Sequence, residues 1–245
     1  MLQVEGLAKS FGGFKAVAEA RLHVPKGQVA AVIGPNGAGK STLFNLITGH
    51  LKPDAGRIVF KGKDITALAP HQVSRLGVSR SFQLLNVFPR LTVFENVQVA
   101  VLARLRQSGK MFTPARKLVV TETTEVLDKL GLTAYADRLC TSLSYGDQKV
   151  VEIAISLGSS PELLLLDEPT AGMSPEETRT IVQLIKNLSG SEGLTILLTE
   201  HDMDLVFDVA QRIMVLHQGM TIAEGRPEDV KKDKAVQNAY LGETG

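Results

Sequence analysis

Gly34-Pro35-Asn36-Gly37-Ala38-Gly39-Lys40-Ser41 fits the pattern G-x-x-x-x-G-K-[ST] and follows an apolar run, Val29 to Ile33. The run predicts a strand buried on both faces, with a helix after the glycines. Glycines here let backbone N–H groups turn toward phosphate oxygens, and the helix directs its positive end at them. We therefore predict a phosphate loop in which Lys40 contacts the β- and γ-phosphates and Ser41 binds Mg²⁺. The predicted binding residues are Gly34, Pro35, Asn36, Gly37, Ala38, Gly39, Lys40, Ser41 and Thr42.

A second apolar strand ends in a pair of carboxylates, in the sequence Leu163-Leu164-Leu165-Leu166-Asp167-Glu168. In nucleotide hydrolases with a phosphate loop, an acid at this place holds the magnesium ion, and we predict this role for Asp167. Glu168 is then placed to accept a proton from an attacking water molecule. His201 follows a further predicted strand, Thr195 to Thr199, at the end where parallel sheets bind ligands. We predict that His201 contacts the γ-phosphate and is, with Glu168, a catalytic residue.

The composition indicates a folded α/β unit. The chain has 245 residues, of which 44% are hydrophobic and 22% are charged, and its net charge is +1. This near-neutral balance argues against a broad nucleic-acid interface. The one cysteine, Cys140, excludes an internal disulfide framework and is expected to be buried or incidental. Because the chain shows no signal-peptide pattern and no apolar run near ~20 residues, we expect a soluble chain without a transmembrane segment.

Between its α/β halves the sequence predicts a mainly helical insertion, about residues 84–160. Thr92-Val93-Phe94-Glu95 is a capping box that opens an amphipathic helix. A second helix is predicted from about Ala115 to Leu130. After the acidic strand, Ser174 is predicted to cap a helix with proline at its first position. A last helix is expected from Pro227 to about Tyr240.

Two further motifs complete a family pattern. Leu143-Ser144-Tyr145-Gly146-Asp147-Gln148 lies in the helical insertion, and Gln83 lies at its start, after Arg80-Ser81-Phe82. With the phosphate loop, the acidic strand and His201, these motifs occur in the order typical of the ATP-binding subunits of ABC transporters. The chain resembles this family over nearly its whole length.

The resemblance implies an α/β fold in which a P-loop NTPase (ABC ATPase) core carries an N-terminal antiparallel β-subdomain and an inserted α-helical subdomain. The nucleotide-binding lobe would be residues 1–83 and 161–245, and the helical subdomain, with the signature motif, residues 84–160. By the same resemblance ATP and Mg²⁺ are the cofactors and the chain hydrolyses ATP. Gln83 would contact the metal ion, and Phe11, in preference to Phe14, would stack on adenine.

The signature motif implies that two ATPase chains work together. By resemblance, Ser144, Gly146 and Gln148 contact the γ-phosphate of ATP held by a second chain, identical or different. Backbone N–H groups at the start of a helix suit an anion at that place. Two integral-membrane permease subunits and an extracytoplasmic solute-binding protein would complete the system, without nucleic acid. The chain is then expected on the cytoplasmic face of the inner membrane as a peripheral subunit.

Departures from the usual motifs indicate the subfamily. Tyr145 and Asp147 stand where the signature usually has a glycine and a glutamine, and Ser174 stands where an aspartate is usual. The segments Tyr145 to Gln148 and Arg80 to Gln83 resemble the hydrophobic amino-acid uptake group, above all the G-type (LivG-like) ATPases of branched-chain amino-acid importers. Importers of urea or amides, lipopolysaccharide-export-type ATPases and non-transport members, such as those of iron–sulfur assembly, are the alternatives.

Overall fold

Two β-sheets form the framework of the computed structural model, which describes residues 1–81, 87–106, 114 and 117–241. The strands are β1 (Leu2–Phe11), β2 (Phe14–Val24), β3 (Val29–Ile33), β4 (Ala55–Phe60), β5 (Lys63–Asp64), β6 (Val78–Ser81), β7 (Leu163–Asp167), β8 (Thr195–Thr199), β9 (Arg212–His217) and β10 (Met220–Gly225). The helices are α1 (Lys40–Ile47), α2 (Pro70–Arg75), α3 (Val93–Arg104), α4 (Val120–Lys129), α5 (Tyr145–Gly158), α6 (Pro175–Gly190), α7 (Met203–Val209), α8 (Pro227–Lys232) and α9 (Lys234–Leu241).

The N-terminal sheet is antiparallel, with strand order β2-β1-β4-β5. Side chains at the end of β2 alternate between the two faces, since Leu22 and Val24 are buried while Arg21 and His23 are exposed. A turn at Gly12 and Gly13, both with positive φ, joins β1 to β2 as a hairpin. The predicted N-terminal antiparallel sheet is therefore confirmed.

The second sheet has the order β10-β9-β3-β8-β7-β6, and all its pairs are parallel except that of β10 with β9. Every residue of β3, β7 and β8 is buried. Along β3, Val29, Ala31 and Ile33 enter one apolar core, and Ala30 and Val32 enter another. The strand is therefore buried on both faces, as its continuous apolar run predicts.

The chain between the neighbouring strands β6 and β7 contains α3, α4 and α5. The predicted capping box is present, because the Thr92 hydroxyl accepts from the Glu95 amide at 3.1 Å and Glu95 Oε2 accepts from the Thr92 amide at 2.8 Å. Helix α4 begins later than predicted, because Val119 has a φ of 48°, which a right-handed helix cannot include. Ala115 and Arg116 lie outside the described residues.

The prediction of one continuous last helix is wrong, because the structure has two separate helices, α8 and α9. Asp233 adopts an extended backbone between them, and its Oδ1 accepts from the amides of Ala235 (2.7 Å) and Val236 (3.3 Å). Aspartate is a favoured helix cap, so it starts a new helix here instead of continuing the old one. None of the helices in the described ranges has the length and apolar character of a membrane span.

We predict that Thr92→Ala lowers the free energy of unfolding by about 1 kcal/mol, because the change leaves the Glu95 amide without its cap. Chemical denaturation followed by circular dichroism measures the loss. Thr180→Ala is the matched control, since Thr180 is exposed inside α6 and alanine has the higher helix propensity. Equal destabilisation by the two changes would contradict the capping role.

Candidate functional site

The phosphate loop joins β3 to α1, and two of its glycines, Gly34 and Gly39, lie against neighbouring backbone. A Cβ atom on Gly34 would lie 2.0 Å from the carbonyl oxygen of Leu216, and one on Gly39 would lie 2.3 Å from that of Ala16. Gly39 also has a φ of 104°, directly before the first residue of α1. Strands β2 and β9 therefore enclose the loop so closely that only glycine fits at these places.

Lys40 is buried and folds back over the loop. Its Nζ donates to the carbonyl oxygens of Gly34 (2.6 Å) and Pro35 (3.0 Å). A cavity of about 340 Å³ lies at the loop and is lined by Phe14, Ala16, Asn36, Gly37, Ala38, Gly39, Lys40, Ser41, Thr42 and Glu168. The predicted metal-binding hydroxyl of Ser41 and the predicted base Glu168 therefore share one cavity.

Two aromatic side chains lie at the end of the β1–β2 hairpin, where Phe11 and Phe14 face each other across the strand pair. Phe11 is 46% exposed and Phe14 is 66% exposed. Phe14 lines the cavity at the phosphate loop, and Phe11 is not among its lining residues. Lys9 Nζ lies 5.7 Å from the centroid of the Phe11 ring. The hairpin thus presents both rings to solvent close to the loop, with Phe14 at the cavity itself.

A buried ion pair holds Asp167 at the end of β7. Its Oδ2 accepts from Arg80 Nη2 at 2.6 Å, and the two side chains are 4% and 7% exposed. Its Oδ1 accepts from the Thr199 hydroxyl at 2.7 Å. Arg80 Nη1 donates to Asn45 Oδ1 at 2.6 Å, so the pair is also tied to α1. Sequence reasoning used Arg80 only as a subfamily marker, although an arginine beside buried strand residues is itself a sign of an acidic partner.

Glu168 and His201 meet directly, with 2.5 Å between Oε1 and Nε2. Glu168 has a φ of 48°, and its amide donates to the carbonyl and hydroxyl oxygens of Thr199, both at 3.1 Å. Asp202 caps α7 by accepting from the amides of Asp204 and Leu205, which holds the turn that carries His201. The structure therefore brings together the two groups that sequence analysis assigned to catalysis.

The signature motif begins helix α5. Ser144 is its N-cap, and its hydroxyl accepts from the Asp147 amide at 3.1 Å. The Gly146 amide donates to Glu177 Oε1 at 3.0 Å, and the Gln148 side chain donates to the Leu143 carbonyl at 3.0 Å. The signature residues are not among those lining the cavity at the phosphate loop of the same chain. The two halves of the predicted site thus lie at different places on one chain.

Sequence analysis missed the part played by Glu177, an acid in the first turn of α6. Ser174 is the cap of this helix, as predicted, and forms a full capping box with Glu177. Hydrogen bonds from the Ser174 backbone, the Ser174 hydroxyl and the Gly146 backbone lower the pKa of Glu177. The capping-box spacing predicts the contact with Ser174, whereas no local signal predicts the contact with Gly146.

Gln83 and Cys140 are two further residues that sequence analysis singled out. Gln83 lies outside the described residues. Cys140 is buried, and its Sγ lies 3.1 Å from Asn96 Nδ2. Burial raises the pKa of the Cys140 thiol, which agrees with the predicted incidental thiol. Burial, and after it the positive charge of Arg80, lowers the pKa of His50.

Comparisons with known protein families and proteins agree on one family. The family model described as "ABC transporter" matches residues 17–171. The family model described as "Branched-chain amino acid ATP-binding cassette transporter" matches residues 220–245. The chain is 41% identical to the high-affinity branched-chain amino acid transport ATP-binding protein LivG of Salmonella typhimurium. That match covers 99% of this chain and 98% of the relative.

Solved structures share the fold. The ADP conformation of an ATP-binding cassette of an ABC transporter has a TM-score of 0.88 at 35% identity, covering 99% of this chain and 98% of that chain. A dimeric cassette bound to ADP and Pi after hydrolysis has a TM-score of 0.77 at 26% identity, covering 93% and 99%. These likenesses confirm the predicted ABC ATPase fold. The chain therefore belongs to the ATP-binding subunits of ABC transporters, within their branched-chain amino-acid group.

Proposed function

We propose that this chain is the ATP-hydrolysing subunit of an importer for branched-chain amino acids. The observation that carries the proposal is the cavity that joins the phosphate loop to Glu168, which is itself bonded to His201. This arrangement supplies a cradle for phosphates and a carboxylate for the attacking water. The full-length similarity to LivG, whose name specifies branched-chain amino acid transport, supports the choice of solute.

In the proposed reaction, the loop holds ATP and Glu168 accepts a proton from the water that attacks the γ-phosphate. His201 holds the Glu168 carboxylate through their hydrogen bond and contacts the same phosphate. Phe11 stacks on adenine, and Phe14 lies at the cavity as the alternative stacking residue. The proposed phosphate contacts are Gly34, Pro35, Asn36, Gly37, Ala38, Gly39, Lys40, Ser41 and Thr42.

The donors at this place fit a magnesium ion. The Ser41 hydroxyl and the Asp167 carboxylate are hard oxygen ligands, which Mg²⁺ prefers in combination with phosphate oxygens. Thr199 and Arg80 orient the Asp167 carboxylate before a metal ion binds. Gln83 is proposed as a further oxygen donor. When bound, the ion neutralises charge on the phosphate oxygens.

The working unit is proposed to be a pair of ATPase chains. Ser144, Gly146 and Gln148 of one chain contact the γ-phosphate at the loop of the other, which accounts for their absence from the cavity of their own chain. The dimeric solved relative supports this arrangement. Residues 84–160 form the helical subdomain, and residues 1–83 and 161–245 form the nucleotide-binding lobe.

The proposed assembly contains two membrane permease subunits and an extracytoplasmic solute-binding protein. A cytoplasmic helix of a permease is proposed to bind at the helical subdomain, with the chain on the cytoplasmic face of the membrane. The second ATPase chain is either identical or a related subunit of the same importer. The chain itself does not contact the solute, so selectivity lies in the other subunits.

We predict that Glu168→Gln abolishes ATP hydrolysis and leaves ATP binding intact, because the amide cannot take the proton from water but keeps the size of the carboxylate. Phosphate release and fluorescent-nucleotide binding measure the two properties. Glu228→Gln, at an exposed position in the first turn of α8, is the control and should retain full activity. Turnover by Glu168→Gln at the wild-type rate would contradict the assignment.

We predict that Phe11→Ala weakens ATP binding about tenfold, since base–aromatic stacking contributes ~1–3 kcal/mol. Binding of inorganic tripolyphosphate, which has no base, should change little in the same variant. Phe14→Ala is the matched comparison and should have the smaller effect on ATP. The reverse order of the two variants would assign the stacking to Phe14, at the cavity.

The solute is tested by uptake of labelled leucine in cells that lack this chain. We expect the wild-type chain to restore uptake, with competition by isoleucine and valine, and Glu168→Gln to restore none. Labelled urea and acetamide are the control solutes and should enter at unchanged rates. Restoration of urea or amide uptake without leucine uptake would contradict the proposed solute.

A further inference from the structure

The groups of the signature that are proposed to meet a second chain's nucleotide are already bonded to acids of their own chain. The Gly146 amide donates to Glu177 Oε1 at 3.0 Å, and the Ser144 hydroxyl donates to Asp147 Oδ2 at 2.9 Å. Gly146 is buried, and a Cβ atom on it would lie 2.6 Å from Glu177 Oε1. The carboxylate thus packs directly on the backbone where a phosphate oxygen is expected.

Glu177 is also held from its other side. Its Oε2 accepts from the Ser174 amide at 2.9 Å and from the Ser174 hydroxyl at 2.8 Å. The Glu177 amide donates back to the same hydroxyl at 3.3 Å. Glu177 therefore bridges the start of α6 to the start of α5. The carboxylate can leave Gly146 and keep its bonds to Ser174, because these use different oxygens.

A phosphate and a carboxylate compete for the same place at a helix N-terminus. Each is an anion that takes hydrogen bonds from the first amides and is attracted by the positive end of the helix. The acids Asp147 and Glu177 also repel an approaching phosphate, and screening is weak at such short range. A nucleotide must therefore displace these carboxylates before it can use the Gly146 amide and the Ser144 hydroxyl.

We infer that Glu177 and Asp147 form a carboxylate latch, which covers the signature within a single chain and sets the ATP concentration at which two chains close. The inference rests on the proposed function, because it assumes that the signature binds ATP of a second chain. The latch restrains closure and takes no part in hydrolysis. It also gives a role to Asp147 and Ser174, two of the three residues that depart from the usual family motifs.

The test is an ATP titration of closure in the Glu168→Gln background with Mg²⁺, followed by light scattering. The chain is used alone or with the second ATPase chain that co-purifies from native membranes. Glu177→Gln should lower the ATP concentration for half-maximal closure about tenfold, because a neutral amide binds the helix end less strongly than a charged group. Asp147→Asn should also lower this ATP concentration, and it is the test variant if Glu177→Gln fails to fold.

Glu176→Gln is the matched control, since it makes the same charge change one residue earlier in the same exposed first turn. Glu176→Gln should leave the ATP concentration for half-maximal closure unchanged. A shift equal to that of Glu177→Gln would attribute the effect to charge alone and overturn the latch. A higher midpoint in Glu177→Gln would also overturn it, by showing that Glu177 positions the Gly146 amide for phosphate. If the Glu168→Gln chain closes normally and Glu177→Gln does not change the ATP concentration for half-maximal closure, the latch is overturned and the proposed function stands. If the Glu168→Gln chain without further changes fails to close with ATP, the proposed function is overturned, and the latch with it.

Discussion

The parallel register of β3, β8 and β7 is the constraint on which the site depends. β7 pairs with β8 so that Asp167 faces Thr199, and β8 pairs with β3 so that Thr199 faces Val32. The strands therefore end at one edge of the sheet, where the phosphate loop, the acids and His201 follow them. Because all residues of these strands are buried, a slip by one residue would exchange their two faces and separate Asp167 from the Thr199 hydroxyl.

The buried pair of Arg80 and Asp167 connects this edge to the start of the helical segment. Removing one partner of such a pair typically costs ~3–5 kcal/mol, because the other charge stays buried without compensation. Asn45 on α1, which accepts from Arg80, and Thr199 on β8, which donates to Asp167, complete a network that joins four elements, β6, β7, β8 and α1. Arg80 lies on β6, the last described strand before the helical segment in the sequence. A displacement of that strand would therefore alter the proposed magnesium ligand.

Local signals in the sequence predicted what depends on neighbours along the chain. The phosphate loop, the Thr92 cap and the Ser174 cap each need only a few consecutive residues, and the structure has all three. The break at Asp233 was missed because helix-forming lysines, Lys232 and Lys234, flank it, although aspartate is itself a cap signal. The contacts of Arg80 with Asp167 and of Glu177 with Gly146 join residues far apart in sequence. Only the packed sheet and helices bring these residues together, so pattern alone could not predict them.

The bonds between the signature and acids of its own chain also explain how ATP can switch two chains reversibly between an open and a closed state. A signature whose amides had no acceptor within the chain would bind any anion. On closure it would gain the full energy of its contact with the γ-phosphate. With the proposed latch, closure exchanges one set of charge-assisted hydrogen bonds for another, and only the difference drives association. A small difference is readily reversed when hydrolysis removes the γ-phosphate. The bond between Glu177 and the Gly146 amide then re-forms within the chain, and the open state needs no further partner to be stable.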